Sequence, residues 1–194
     1  MAISYPLSLP TTIGIAKIEL TAVNAIAVSR SPFTFDSQIH AYSGEMWQAD
    51  IAIPPVRRDL AESWVSFLLS LRGQYGTFLL NDPVATSPRG TATAATITGS
   101  SGDRSVSVTM TGTLLAGDYI QLGTGTDATL HKVLADQDGD GTLEIWPALR
   151  KNRPSVAATL SSASGLFRLS TNQVSWSVNE VSAYGITFGA MEAI

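Results

Sequence analysis

Trp47-Gln48-Ala49-Asp50-Ile51-Ala52-Ile53-Pro54-Pro55 alternates apolar and polar side chains, and the stretch after it, Val56 to Arg72, changes to a helical period. A period of two places Trp47, Ala49, Ile51 and Ile53 on one face, the pattern of a half-buried strand. Pro54-Pro55 is expected to stop that strand, since proline has no N–H for a ladder. In the following segment Leu60, Trp64, Phe67, Leu68 and Leu71 fall at helical spacings and form one apolar stripe, which predicts a helix over about 56–72. Burying each large residue of such a stripe contributes roughly 1.5–3 kcal/mol, so the helix must lie on a sheet or on a neighbouring subunit. Gly73 suits the left-handed residue that closes a helix. Arg57-Arg58 sits poorly at a helix start, where cations are disfavoured, and hints at acidic groups on a neighbour.

Working outward, Thr77-Phe78-Leu79-Leu80 reads as a buried strand and Asn81-Asp82-Pro83 as its turn. Upstream, Ile18-Glu19-Leu20-Thr21-Ala22 and Phe33-Thr34-Phe35 read as shorter strand pieces. The texture changes near Thr86. Beyond Ser87-Pro88-Arg89-Gly90 come short alternating segments (Val106, Val108 and Met110; Ile120 and Leu122; Leu143 and Ile145) separated by Gly- and Asp-rich turns. Four or five such strands predict a small barrel or sandwich. The first texture returns with Gly165-Leu166-Phe167-Arg168-Leu169 and the alternation of Val174, Trp176 and Val178. The fold class expected is therefore mainly β: a β-sandwich with one helix, formed by residues 1–86 plus 161–194, carrying an inserted small β-barrel at 87–160.

Composition excludes several roles. The 194 residues carry a formal charge of −4 with only 14% charged residues, and the inserted block holds six Lys/Arg against seven Asp/Glu. Neither part has the clustered basic footprint of a nucleic-acid binder. A hydrophobic fraction of 44% predicts a packed globule, and no apolar run approaches the ~20 residues of a membrane span. The start, Met1-Ala2-Ile3-Ser4-Tyr5-Pro6, lacks the basic and apolar regions of a secretory signal. Cysteine is absent, which removes disulfides, thiolate metal sites and cysteine nucleophiles together.

Asp136, Asp138 and Asp140 with Gly141 begin like a calcium loop, in which alternate carboxylates converge on one cation. Position twelve is Pro147 instead of the bidentate Glu, and both flanks read as strands, so a hairpin turn is the favoured reading. His40 and His131 are far apart and read as structural polar residues. No Gly-x-Ser-x-Gly elbow occurs, and Gly123-Thr124-Gly125 lacks the remainder of a phosphate-binding loop. Trp47, Trp64 and Trp176 lie in phase with apolar neighbours, as core residues do; Trp146, Tyr42, Tyr75 and Tyr184 complete the aromatics weighed for stacking on sugars. No catalytic, cofactor-binding or metal residue is assigned, and an enzyme is not expected.

The run Trp47 to Pro55, the helix ending Phe67-Leu68-Leu69-Ser70-Leu71-Arg72-Gly73, and Gly76-Thr77-Phe78-Leu79-Leu80-Asn81-Asp82-Pro83 resemble tail proteins of long-tailed bacteriophages, as do Gly117-Asp118-Tyr119-Ile120-Gln121-Leu122, Ile145-Trp146-Pro147-Ala148-Leu149-Arg150 and Gly165 to Leu169. Within that group the chain is similar to the distal tail protein family. The resemblance implies a β-sandwich with a helix that assembles as a hexameric ring between tail tube and hub, and an inserted barrel of oligonucleotide-binding type. It implies a virion protein of the tail tip, assembled in the bacterial host cytoplasm, with the tail tube, the hub and tail fibres as partners. One departure is that 194 residues leave no room for the carboxy-terminal galectin-like domain many members carry. The barrel type does not import its usual ligand, because this block is mildly acidic, so no specific nucleic-acid binding is expected. The alternatives are another tail structural protein (tube or tail-completion), or a carbohydrate-binding module for bacterial surface glycans.

Overall fold

The computed structural model describes residues 3–180 and 183–194. The chain opens with strands β1 (Lys17–Arg30) and β2 (Ser37–Arg57), helix α1 (Arg58–Ser70) and β3 (Phe78–Asn81). Next come β4 (Ala95–Gly99), β5 (Ser105–Met110), β6 (Thr113–Leu114), β7 (Tyr119–Leu122), β8 (Thr129–Val133), β9 (Gln137–Asp138), β10 (Gly141–Trp146) and β11 (Arg153–Thr159). The chain closes with β12 (Ser164–Leu169), β13 (Trp176–Val178) and β14 (Ala183–Glu192). Among the described residues the fold is mainly β with a single α-helix, as the alternation and the apolar stripe predict.

The two ends of the chain build one sheet, ordered β1-β2-β14-β12-β3 with β13 beside β14. Ser164 pairs with Asn81 and Phe167 with Phe78, so segments more than eighty positions apart share a ladder. Glu45, Trp47, Ala49, Ile51 and Ile53 are all buried on one side of β2, which is the period-two pattern realised. Helix α1 shares that core, while Glu45 and Trp47 meet the barrel. Trp64, Leu68 and Leu71 are wholly buried, and rings of Trp64, Phe67, Phe78, Phe167 and Phe188 meet one another with centroids 5.6–6.5 Å apart.

Three expectations need correction. The helix is shorter than 56–72, because Val56 and Arg57 still belong to β2, and its buried stripe runs through Ala61 and Val65 while Leu60 is exposed. Pro54-Pro55 does not stop β2. The ladder to β1 has ended by Lys17↔Ala52, and the ladder to β14 shifts register between Tyr184 and Ile186, so the missing N–H groups fall where pairing is already interrupted. Phe33-Thr34-Phe35 is not a strand but the turn joining β1 to β2, closed by Phe35 N–H to Ser31 O (3.0 Å) and Ser31 N–H to Asp36 O (2.9 Å).

The middle of the chain closes into a barrel, ordered β10-β5-β4-β11-β7-β8, with β6 and β9 as a small extra pair. Its interior is Ile97, Val106, Val108, Ile120, Leu122, Val133, Leu143 and Ile145, while Ser105, Ser107 and Thr109 alternate outward. All six barrel strands lie between Ala95 and Thr159. The two bodies nevertheless share a wall, since Tyr119 and Leu130 of the barrel belong to the core under α1.

Candidate functional site

The feature that asks for a partner is the distal half of the β1–β2 hairpin. From Asn24 to Gly44 every residue except Ser31 is exposed. Ile26 pairs with Ala41 and Val28 with Ile39, so these four side chains share one side of the ribbon. Val28 is 63% and Ile39 66% exposed, and Phe33 at the tip is 92% exposed. Arg30 and Asp36 are the only formal charges between Asn24 and Gly44. Arg30 closes the tip: its guanidinium lies 5.1 Å from the Phe35 ring centroid and its Nε donates to the Phe35 carbonyl (3.1 Å). The opposite side carries Ala27, Ser29, Gln38 and His40, with His40 edge-on to Tyr42 at 4.5 Å.

The edges of the sheet differ. On the β3 side, Leu7 lies parallel to Phe78, its N–H donating to Thr77 O (2.9 Å) and its carbonyl accepting from Leu79 N–H (3.0 Å). Among the described residues β1 pairs only with β2, so its outer edge is open along fourteen residues. A two-stranded ribbon is at best marginally stable alone, and open edges template further pairing.

The barrel grips the root of this arm. Glu45 Oε1 accepts from Arg104 Nε (2.9 Å) and Nη2 (2.7 Å), and its Oε2 accepts from Ala148 N–H (2.7 Å). Arg150 Nη2 donates to the Glu45 carbonyl and to Glu192 Oε2 (2.7 Å), which also accepts from Trp47 N–H (3.2 Å). Trp47 Nε1 donates to Leu130 O (2.9 Å), and Trp146 stands edge-on to Trp47 at 4.5 Å while donating to Asn24 Oδ1 (2.9 Å). Every buried side-chain polar atom among the described residues has a partner. The seam therefore holds the arm's root rigid and uses its own polar groups up in doing so.

The residues weighed from sequence are scattered. Asp136 Oδ1 accepts from Ala116 N–H (2.7 Å) and Asp140 Oδ1 from Met110 N–H (2.8 Å), so these carboxylates staple two separate turns. Among the described residues no three His, Asp or Glu side chains converge as metal ligands. His131 is buried, its Nδ1 2.7 Å from Pro147 O and its Nε2 3.0 Å from Thr129 Oγ1; burial chiefly pushes its pKa down to about 4. Gly123 closes on Asp127, whose carbonyl leaves no room for a Cβ, and hydrogen bonds from Lys151 and Arg153 hold the Asp127 carboxyl below its usual range. Trp47 and Trp64 are core residues, but Trp176 is 40% exposed, because β13 is a three-residue strand paired on one side only. Arg58 pairs with Glu62 one turn along its own helix (3.0 Å).

The arm was missed at the sequence level because its strand alternation implies a buried face without saying what buries it. The available signal was the scarcity of charge on both sides of the Ser31-Pro32 turn. No protein-family model matches the chain, and no curated protein matches it.

Proposed function

We propose that this chain is a self-assembling structural protein of a bacteriophage tail tip, of the distal tail protein kind, working as a hexameric ring subunit between tail tube and hub. The observation that carries the reading is the arm: a ribbon with one apolar side and an open edge, anchored at its root and uncovered elsewhere. Exposed apolar surface of this extent is costly in a lone molecule and is removed when a neighbouring copy packs on it. A head-to-tail contact of arm on neighbour, repeated by rotation, closes into a ring. The low charge of the arm supports close approach of like copies, and the locked seam gives each copy the same shape. Catalysis is no part of this reading.

The test is assembly. Sedimentation of the purified chain across a concentration series should show an oligomer whose formation is abolished by Val28→Glu together with Ile39→Glu. Labelling of intact virions viewed by electron microscopy should then find the chain at the junction of tube and tip. Label along the tube, or at the head-proximal end, would assign the chain to a tube or completion role instead. A monomer at every concentration, with glycan retention that depends on Phe33 and Phe35, would replace assembly by carbohydrate binding.

A further inference from the structure

Six ion pairs join cations to carboxylates among the described residues, and neither Arg89 nor Lys132 takes part in one. Both line one cleft of about 300 Å³, where the segment after β3 runs beside β7 and β8. They flank Gly117: a Cβ there would sit 3.9 Å from Arg89 Nη1 and 4.0 Å from Lys132 Cε. Gly117, at φ +98, leaves the space between them open. Lys132 Nζ donates to Tyr119 Oη (3.1 Å) and lies 4.3 Å from that ring's centroid, so the phenol's own proton remains available to an acceptor.

The two carboxylates nearby are already engaged. Asp118 accepts from the N–H groups of Arg89 (2.8 Å), Gly90 (3.3 Å) and Leu115 (2.9 Å), and Asp82 Oδ1 accepts from Val84 N–H (3.0 Å). The remaining wall is Val84, Ala85, Ser87 and Leu160, of which Ala85 and Leu160 are the half-buried and buried apolar residues. From this geometry we propose that the cleft binds a small phosphomonoester, its dianion held by Arg89, Lys132 and Tyr119 and its organic body against Ala85 and Leu160. Such a ligand spans the connecting segment and the barrel, and so ties the barrel to the sheet body. The proposal does not depend on the ring: the Val28→Glu, Ile39→Glu monomer carries the same cleft.

Phenyl phosphate is the probe, followed by amide chemical-shift titration of that monomeric variant at constant ionic strength. Saturable shifts are expected at Gly117 and Lys132, with inorganic phosphate binding more weakly because it leaves the apolar wall empty. Arg89→Ala keeps the backbone N–H that Asp118 needs, and Lys132→Met keeps a stem over Tyr119, so neither change should unfold the chain. Each should weaken phenyl phosphate at least about tenfold, the size of one lost charge-assisted hydrogen bond. Sodium chloride reproducing the shifts, or unchanged binding in both variants, overturns the site. Inorganic phosphate binding as tightly as the ester overturns the assignment to an organic phosphate.

Discussion

The two halves of one hairpin behave as different materials. Near its root, β1 and β2 form an antiparallel ladder as they do further out, but Ala49, Ile51 and Ile53 share a core with α1, Trp47 packs on Trp146 and Tyr119 of the barrel, and Glu45 is clasped by the barrel. Beyond a register shift between Asn24 and Ile26 the ladder resumes, from Ile26↔Ala41 to Arg30↔Ser37, and its side chains are exposed. Antiparallel pairing is thus common to both sides of that shift, and what distinguishes the root is the layer on top. What makes a strand part of a core is the second layer, since the ladder by itself contributes little net stability.

That contrast can be broken at several points, ordered here by their expected effect on the stability of the single chain. Trp64→Ala removes the largest wholly buried side chain over the root, and should cost about 3–5 kcal/mol in denaturant unfolding. A loss below about 1 kcal/mol would mean that α1 is not the layer that makes the root a core. Arg150→Ala leaves Glu192, 4% exposed, without its cation, and should cost about 3 kcal/mol or somewhat more. Its double-mutant cycle with Glu192→Gln should show strong coupling, whereas additive losses would show that the seam is not a network.

Acid should act on the barrel wall next to that root. His131 has a folded pKa of about 4 against an ordinary value near 6.5, so below the ordinary value the unfolded chain binds the extra proton and the folded one does not. Stability is then full above about pH 6.5 and falls through pH 4, by about 3 kcal/mol in total. Midpoints measured between pH 4 and 7 should show this slope in the native chain and a smaller one in His131→Gln. Equal slopes would place the acid sensitivity elsewhere. The smallest effect on the single chain belongs to the arm: Val28→Glu should change monomer stability by no more than about 0.5 kcal/mol while abolishing assembly. A large loss of monomer stability would show that the arm is already packed within its own chain.

How much was legible follows the same division. The alternation at Trp47–Ile53 and the stripe through Trp64, Phe67, Leu68 and Leu71 carry their own periods, so strand, helix and the face each buries could be read directly. The return of apolar texture at Gly165–Leu169 indicated a second visit to the first body, because a strand too short to stand alone needs an existing sheet edge. Trp176 was misplaced because period two records which residues share a face and is silent on whether that face is covered. The arm escaped for the same reason, and so did the cleft between Arg89 and Lys132, which joins positions 43 apart only through the closure of the barrel.

Sequence alone settled the β character, the single helix, the two interleaved textures and the lack of any thiol chemistry, since each of these depends on residue type and local spacing. Tertiary structure decided that Glu45 and Glu192 meet Arg104 and Arg150, that Asp136 and Asp140 serve separate turns, and that half of a long hairpin stands bare. The physical reason is range. A backbone period is set by bonds between near neighbours, while burial and charge pairing are set by whichever distant segment the folded chain brings alongside.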